Sequence, residues 1–399
     1  MDSGRTRREF LAASTGGITL GLGRYHNTQD TSPKQRKKEP KQANNQGSTK
    51  KPVDVRGAIY IPTRAFNRYQ MWRDYDPAEI ERDFGYAARL NLNAIRTWLS
   101  YEYWLQNPDA HAKHLEHLLD TADKYGMQVL LGLFDSVGRA PTFENLLNDD
   151  ILAAVQTHSP SGRTMVEKPL WKTPRVFIRW FMQQYRDDDR LLAIELTNEP
   201  GWDQRNVQFM REMAEILAWY RGERPLTVGS TSLANNAEYL DWGMDILQFH
   251  YNFARTPKLY RHVLQQANYV QTKLDMPVWL SEWQRLRPGE KFAADVNENA
   301  AVPDYSSLAP IIHKAGIGNF FWSLMLKPAY TLAVRENGVI NGLFHEDGAV
   351  WSLDDARAIK AMSGDPSFEG RERKEYPDWT SDIKSSNTPD PGTEQPTRD

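Results

Sequence analysis

The chain has 399 residues, 40% hydrophobic and 25% charged, which fits a water-soluble globular body long enough for one large α/β domain. Its formal net charge of −3 makes no case for nucleic acid as a partner, and the lack of cysteine excludes thiol catalysis, disulfides and cysteine-type zinc sites. Thirteen tryptophans and seventeen tyrosines supply flat faces suited to core packing and to stacking on sugars.

In chain order, the first segments are not structural. Thr6-Arg7-Arg8-Glu9-Phe10-Leu11, followed by the weakly apolar Ala12–Leu22, matches the twin-arginine export pattern. Residues 1–23 are therefore expected to be a signal segment, and the protein to act in the periplasm, at the cell surface or outside the cell. The apolar stretch is too short and too polar for a membrane span, and no Ala-x-Ala cleavage site follows it. Residues 24–53 carry Lys34, Arg36, Lys37, Lys38, Lys41, Lys50 and Lys51 among polar residues and read as a disordered basic linker. Residues 369–399 read as a second disordered tail. A single folded domain, 54–368, remains, without an evident internal repeat.

Within it, eight short apolar runs predict strands: Gly57–Pro62, Asn93–Leu99, Gln128–Phe134, Leu191–Asn198, Leu226–Ser230, Ile246–Tyr251, Pro277–Glu282 and Asn319–Leu324. Amphipathic stretches between them predict helices over Pro77–Leu90, Ala110–Tyr125, Thr173–Arg186, Val207–Arg221, Pro257–Leu274 and Tyr305–Ala315. Asp76-Pro77 and Thr173-Pro174 both look like helix starts. Near-continuous apolar strands separated by helices imply a parallel sheet covered on both faces, and eight such units favour a closed (β/α)8 TIM barrel over an open sheet. No Gly-x-Gly-x-x-Gly turn follows the first run, which argues against a dinucleotide fold. Gly342–Gly348 predicts a tight turn before the last helix.

In such a barrel the chemistry sits at the carboxyl ends of the strands. The fourth run ends in Asn198-Glu199-Pro200 and the seventh in Ser281-Glu282-Trp283. The sixth ends in His250-Tyr251-Asn252, the third in Asp135; the second carries Arg96 and the eighth Trp322. Two carboxylates facing each other across one mouth suit acetal cleavage, in which an acid protonates the leaving oxygen and a second carboxylate meets the developing cation. An arginine beside Glu282 would keep it ionised, whereas Glu199, in a more apolar setting, could hold its proton.

On these residues the chain resembles the clan A glycoside hydrolases, most closely the family 5 cellulase and mannanase group, over roughly 54–362. The resemblance implies a retaining hydrolase of β-O-glycosidic bonds in a polysaccharide or oligosaccharide. It makes Glu199 the acid/base, Glu282 the nucleophile, and Asn198 a ligand of the sugar 2-hydroxyl. It also implies that Trp322 is the platform under the sugar and that His250 and a neighbouring tyrosine orient the carboxylates; the family often shows His-x-Tyr where this chain reads His250-Tyr251-Asn252, so the strand's phase decides whether Tyr251 or Asn252 faces inward. Asp135 stands where many cellulases of the family have histidine, and is expected to bind sugar hydroxyls. Two other readings use the same residues, a transglycosylase and a carbohydrate-binding barrel without turnover.

Further expectations concern the surroundings of the mouth. Tyr60, Arg64, Asn67 and Tyr69 could line the pocket. Arg139, Trp171, Arg285, Arg287 and Phe292, in the long connections 135–172 and 284–304, could shape its walls. His111, His114 and His117 recur every three residues and drift around a helix, a poor metal cage. The two-carboxylate mechanism requires neither metal nor organic cofactor; the only implied partner is carbohydrate, and the sequence leaves the oligomeric state open.

Overall fold

Every predicted apolar run forms a strand in the computed structural model, which describes residues 54–201, 204–252, 256–284, 304–328 and 340–375. The expected signal segment and basic linker, residues 376–399 of the expected tail, and Arg285, Arg287 and Phe292 lie outside the described residues. The strands are β1 Arg56–Ile59, β2 Ala94–Trp98, β3 Gln128–Asp135, β4 Leu191–Asn198, β5 Leu226–Gly229, β6 Leu247–His250, β7 Val278–Trp283 and β8 Gly318–Phe321. Their hydrogen-bonded order is β5-β4-β3-β2-β1-β8-β7-β6, with every registered pair parallel. One parallel bridge, Thr227 with Ile246, joins β5 to β6, so the sheet curls into a barrel. Both faces of a strand are covered in this arrangement, which is why the runs read as continuously apolar rather than alternating.

Helices pack around the sheet: α1 Arg68–Arg73, α2 Pro77–Arg89, α3 Tyr101–Gln106, α4 Pro108–Lys124, α5 Phe143–Leu147, α6 Gly162–Val166, α7 Lys172–Tyr185, α8 Gln204–Trp219, α9 Asn236–Tyr239, α10 Pro257–Leu274, α11 Tyr305–Ala315 and α12 Leu353–Ala361. Asp76 caps α2 through a hydrogen bond from the Ala78 amide, as its sequence predicts. Thr173 does not cap α7. A 3-10 turn over Lys168–Trp171 runs directly into the helix, which begins at Lys172 without a side-chain cap. The folded body also continues past residue 368, because Val350 pairs with the backbone of Arg371 and Arg373, and both arginines reach Asp347. Among the described residues no helix is long and apolar enough to cross a membrane.

The three regularly spaced histidines are absorbed into packing. His111 stacks on Trp72 and its Nε2 accepts from the Ser100 amide, while His114 stacks on Tyr75. His117 meets the Tyr75 hydroxyl at 2.8 Å. This aromatic layer ties α4 to α1, and α1 carries a side chain that matters below.

Candidate active site

Two charged residues interrupt otherwise apolar strands, Arg96 on β2 and Glu195 on β4, and both are fully buried. Buried charges need partners, and these two find each other: Arg96 Nε and Nη2 each lie 2.9 Å from a Glu195 oxygen. Trp98 Nε1 and Gln248 Nε2 donate to the same carboxylate at 2.9 and 3.1 Å. Two glycines make room for the group. A Cβ on Gly229 would fall 2.6 Å from Arg96 Nη2, and one on Gly132 would fall 1.9 Å from the Trp98 ring. The rest of the guanidinium faces the strand ends. Nη2 donates to Asn198 Oδ1 at 2.8 Å; Nη1 donates to the Ser281 carbonyl at 3.0 Å and to Glu282 Oε2 at 3.4 Å.

The two glutamates expected to carry the chemistry stand above this base. Glu199 follows β4 with φ at 45°, the left-handed region that few non-glycine residues enter, and its amide donates to the Gly229 carbonyl at 2.7 Å. Such backbone costs about 1–3 kcal/mol and persists where surrounding contacts fix it, often at functional sites. Glu282 is the penultimate residue of β7. Its Oε1 accepts from Asn252 Nδ2 at 2.8 Å, and its Oε2 faces Arg96 and, at 3.7 Å, His250 Nδ1. His250 Nδ1 also meets Glu199 Oε1 at 2.5 Å. One oxygen of each glutamate and a ring nitrogen of His250 all lie within 4.8 Å of one another. The same three atoms could also face a cation, but the Arg96 guanidinium already supplies fixed positive charge beside Glu282.

The electrostatics differ from the sequence expectation at Glu199. Burial pushes its carboxyl up, but the hydrogen bond and charge of His250, with the charges of Arg96 and Arg68, outweigh this and hold it below the ordinary carboxylate range.

Asn198, Glu199, Glu282 and Trp322 border one cleft, as their strand-end positions predict. Arg96 and His250 stand behind it and hold the groups that face it. Tyr251 is misplaced by the sequence reading. Side chains alternate along an extended chain, so with His250 turned inward Tyr251 turns out, its ring 4.9 Å from that of Tyr260 on α10. Asn252 takes the inward place. Asp135 is also not a cleft residue, being 1% exposed with both oxygens occupied by protein donors.

Of the residues expected after β1, Tyr60 bonds Asp83, Arg64 bonds Glu79, Asn67 caps α1 and Tyr69 bonds Gln106. The cleft is instead lined by their neighbours Ile61, Phe66 and Arg68, together with Trp98, Val137, Gln156 and Lys327. Lys327 Nζ is tied to the carbonyls of Pro62, Thr63 and Ala65 and so fastens the segment after β8 to the segment after β1. Trp171 is buried against Phe209, and neither it nor the exposed Arg139 is among the residues that line the cleft. Glu195 was legible as a charge inside an apolar strand. Arg68 was not, because it sits on a six-residue helix with no sequence period to reveal it.

No family model and no curated protein sequence matches the chain. Among solved structures it is similar to an exo-β-1,4-mannosidase from Opitutaceae bacterium strain TAV5, at 17% identity and a TM-score of 0.56, over 78% of this chain and only 59% of that one. It is also similar to GH5_18 from Streptomyces cattleya in complex with GlcNAc, at 14% identity and a TM-score of 0.57, over 81% and 83% of the two chains. A glycoside hydrolase family 5 mannosidase from Rhizomucor miehei aligns at 13% identity and a TM-score of 0.52, over 78% and 93%. At these identities the likeness is one of architecture, and it establishes that the chain has the (β/α)8 barrel fold of the solved family 5 glycoside hydrolases.

Proposed function

We propose that the protein is a retaining glycosidase that hydrolyses β-O-glycosidic bonds, with Glu282 as nucleophile and Glu199 as acid/base. The observation that carries this reading is the pair of glutamates whose facing oxygens lie within 4.8 Å. Direct attack by a carboxylate goes with a carboxyl separation of roughly 5–5.5 Å, whereas a water-mediated inverting site needs roughly 6.5–9.5 Å. The donors around each glutamate support the division of roles. Glu282 accepts from Arg96 and Asn252, while Glu199 makes its contact with the His250 ring.

In the first step Glu282 attacks the anomeric carbon, the bond to the leaving oxygen breaks, and that oxygen takes a proton through Glu199. In the second, Glu199 removes a proton from water, the water oxygen bonds the anomeric carbon, and Glu282 leaves. Asn198, beside both carboxylates, contacts the 2-hydroxyl, and Trp322 supports the sugar ring. The fold's mannosidase neighbours make β-mannosides the first class to test.

The test is a panel of 4-nitrophenyl β-mannoside, β-glucoside, β-galactoside and β-glucuronide with their α-anomers, alongside mannan and cellulose oligosaccharides. Nitrophenol or reducing sugar is expected from at least one β-glycoside and from none of the α-anomers. A protein that binds glycans from the panel but cleaves none of them would sink the proposal in favour of a non-catalytic barrel.

A further inference from the structure

The amide of Asn198 bridges two groups of opposite hydrogen-bonding polarity. Its Oδ1 accepts from Arg96 Nη2 at 2.8 Å, and its Nδ2 donates to Asp135 Oδ1 at 3.0 Å. A guanidinium only donates and an ionised carboxylate only accepts. The amide therefore has one orientation and cannot flip, and one N–H is left over on a side chain that borders the cleft.

Asp135 is built for that task rather than for binding sugar. An ionised carboxylate has about four acceptor sites, and four donors occupy them. Oδ1 takes Asn198 Nδ2 and the Val137 amide at 3.0 Å; Oδ2 takes Gln156 Nε2 at 2.9 Å and Arg68 Nη1 at 2.6 Å. Burial raises its pKa to about 6, against the opposing charge of Arg68 and the bonds from Val137 and Asn198. Arg68 is held in place by Asp135 and by the Trp98 ring, 4.5 Å from its guanidinium carbon.

We propose that Asp135 is a positioning residue that acts through Asn198, aiming its free amide hydrogen at the 2-hydroxyl of the sugar being cleaved, with Arg68 as the fixed counter-charge. The proposal rests on the glycosidase reading and deepens it, since it assigns the residues that position Asn198. Asp135→Asn keeps the shape but not the polarity, because an amide at 135 can donate or accept and no longer fixes Asn198. Asp135→Ser removes the carboxylate altogether and leaves Asn198 Nδ2 without its acceptor.

The experiment compares the best 2,4-dinitrophenyl β-glycoside with its 2-deoxy analogue; β-mannoside and β-glucoside share one, the 2-deoxy-β-D-arabino-hexopyranoside. Asp135→Asn is expected to lower kcat/KM about 10- to 100-fold on the 2-hydroxy substrate, the size of effect that a misplaced binding group produces. On the 2-deoxy substrate, where the wild type has already lost the contact, the loss should be less than about 3-fold on the same argument. Asp135→Ser should give the same pattern, which provides a second route if one variant folds poorly. Equal losses on both substrates would reduce Asp135 to a structural residue and overturn the proposal, as would no loss on either, with the glycosidase reading intact. A wild type that cleaves no glycoside would overturn both.

Discussion

Glu282→Gln is expected to lower kcat/KM on every cleaved glycoside by about four orders of magnitude or more, the scale on which removal of a catalytic nucleophile acts. An amide does not attack the anomeric carbon, and among the described residues no other side chain beside Glu282 can take its place: Asn252 and Arg96 are donors, and Glu199 comes from β4 on the other side of the cleft mouth. The loss should not depend on the leaving group. Glu199→Gln should behave differently. With an alkyl or sugar leaving group the first step needs a proton, and loss of a general acid costs about 10²- to 10⁴-fold. A dinitrophenolate leaves without one, so the first step proceeds and the second, which needs Glu199 as base, becomes slow. Rapid mixing of Glu199→Gln with a dinitrophenyl glycoside should then show a burst of dinitrophenolate close to one equivalent of enzyme. A leaving-group-independent loss for Glu199→Gln and a dependent one for Glu282→Gln would reverse the two roles.

The second large effect is on stability. Arg96 and Glu195 are both fully buried, and their partners are fixed by the barrel interior. Removing one member of a buried pair leaves an uncompensated charge and typically costs about 3–5 kcal/mol. Arg96→Met is therefore expected to lower the unfolding free energy by an amount in that range, and to abolish activity because Asn198 and Glu282 lose their common donor. The double variant Arg96→Met/Glu195→Met removes both charges and should recover much of the stability but none of the activity. Denaturant unfolding of the two variants beside the wild type measures this. An Arg96→Met protein as stable as the wild type would mean that the pair does not organise the barrel floor.

The fold was legible because its cause is periodic. Strands covered on both faces leave apolar runs such as Leu191–Ile194, and the helices between them leave amphipathic stripes. The site was legible where it depends on strand ends, since the last residues of β4 and β7 must face the mouth. It was not legible where it depends on phase or on loops. One residue of alternation decides between Tyr251 and Asn252, and the irregular register beside His250 is not encoded in composition. Residues 60–69 show the same difficulty: the right segment was chosen, but its turns present Ile61, Phe66 and Arg68 rather than Tyr60, Arg64, Asn67 and Tyr69. Asp135 was found at its strand end, yet its role follows from four donors that only tertiary contacts bring together.

The claim that Glu282 attacks the sugar directly is tested most simply by the anomer of the first-formed product. With the aryl β-glycoside that is cleaved best, proton NMR in the first minutes should show the β-hemiacetal appearing before mutarotation generates the α form. Initial appearance of the α-hemiacetal would mean that water attacks in a single displacement, and would contradict the assignment of Glu282 as nucleophile.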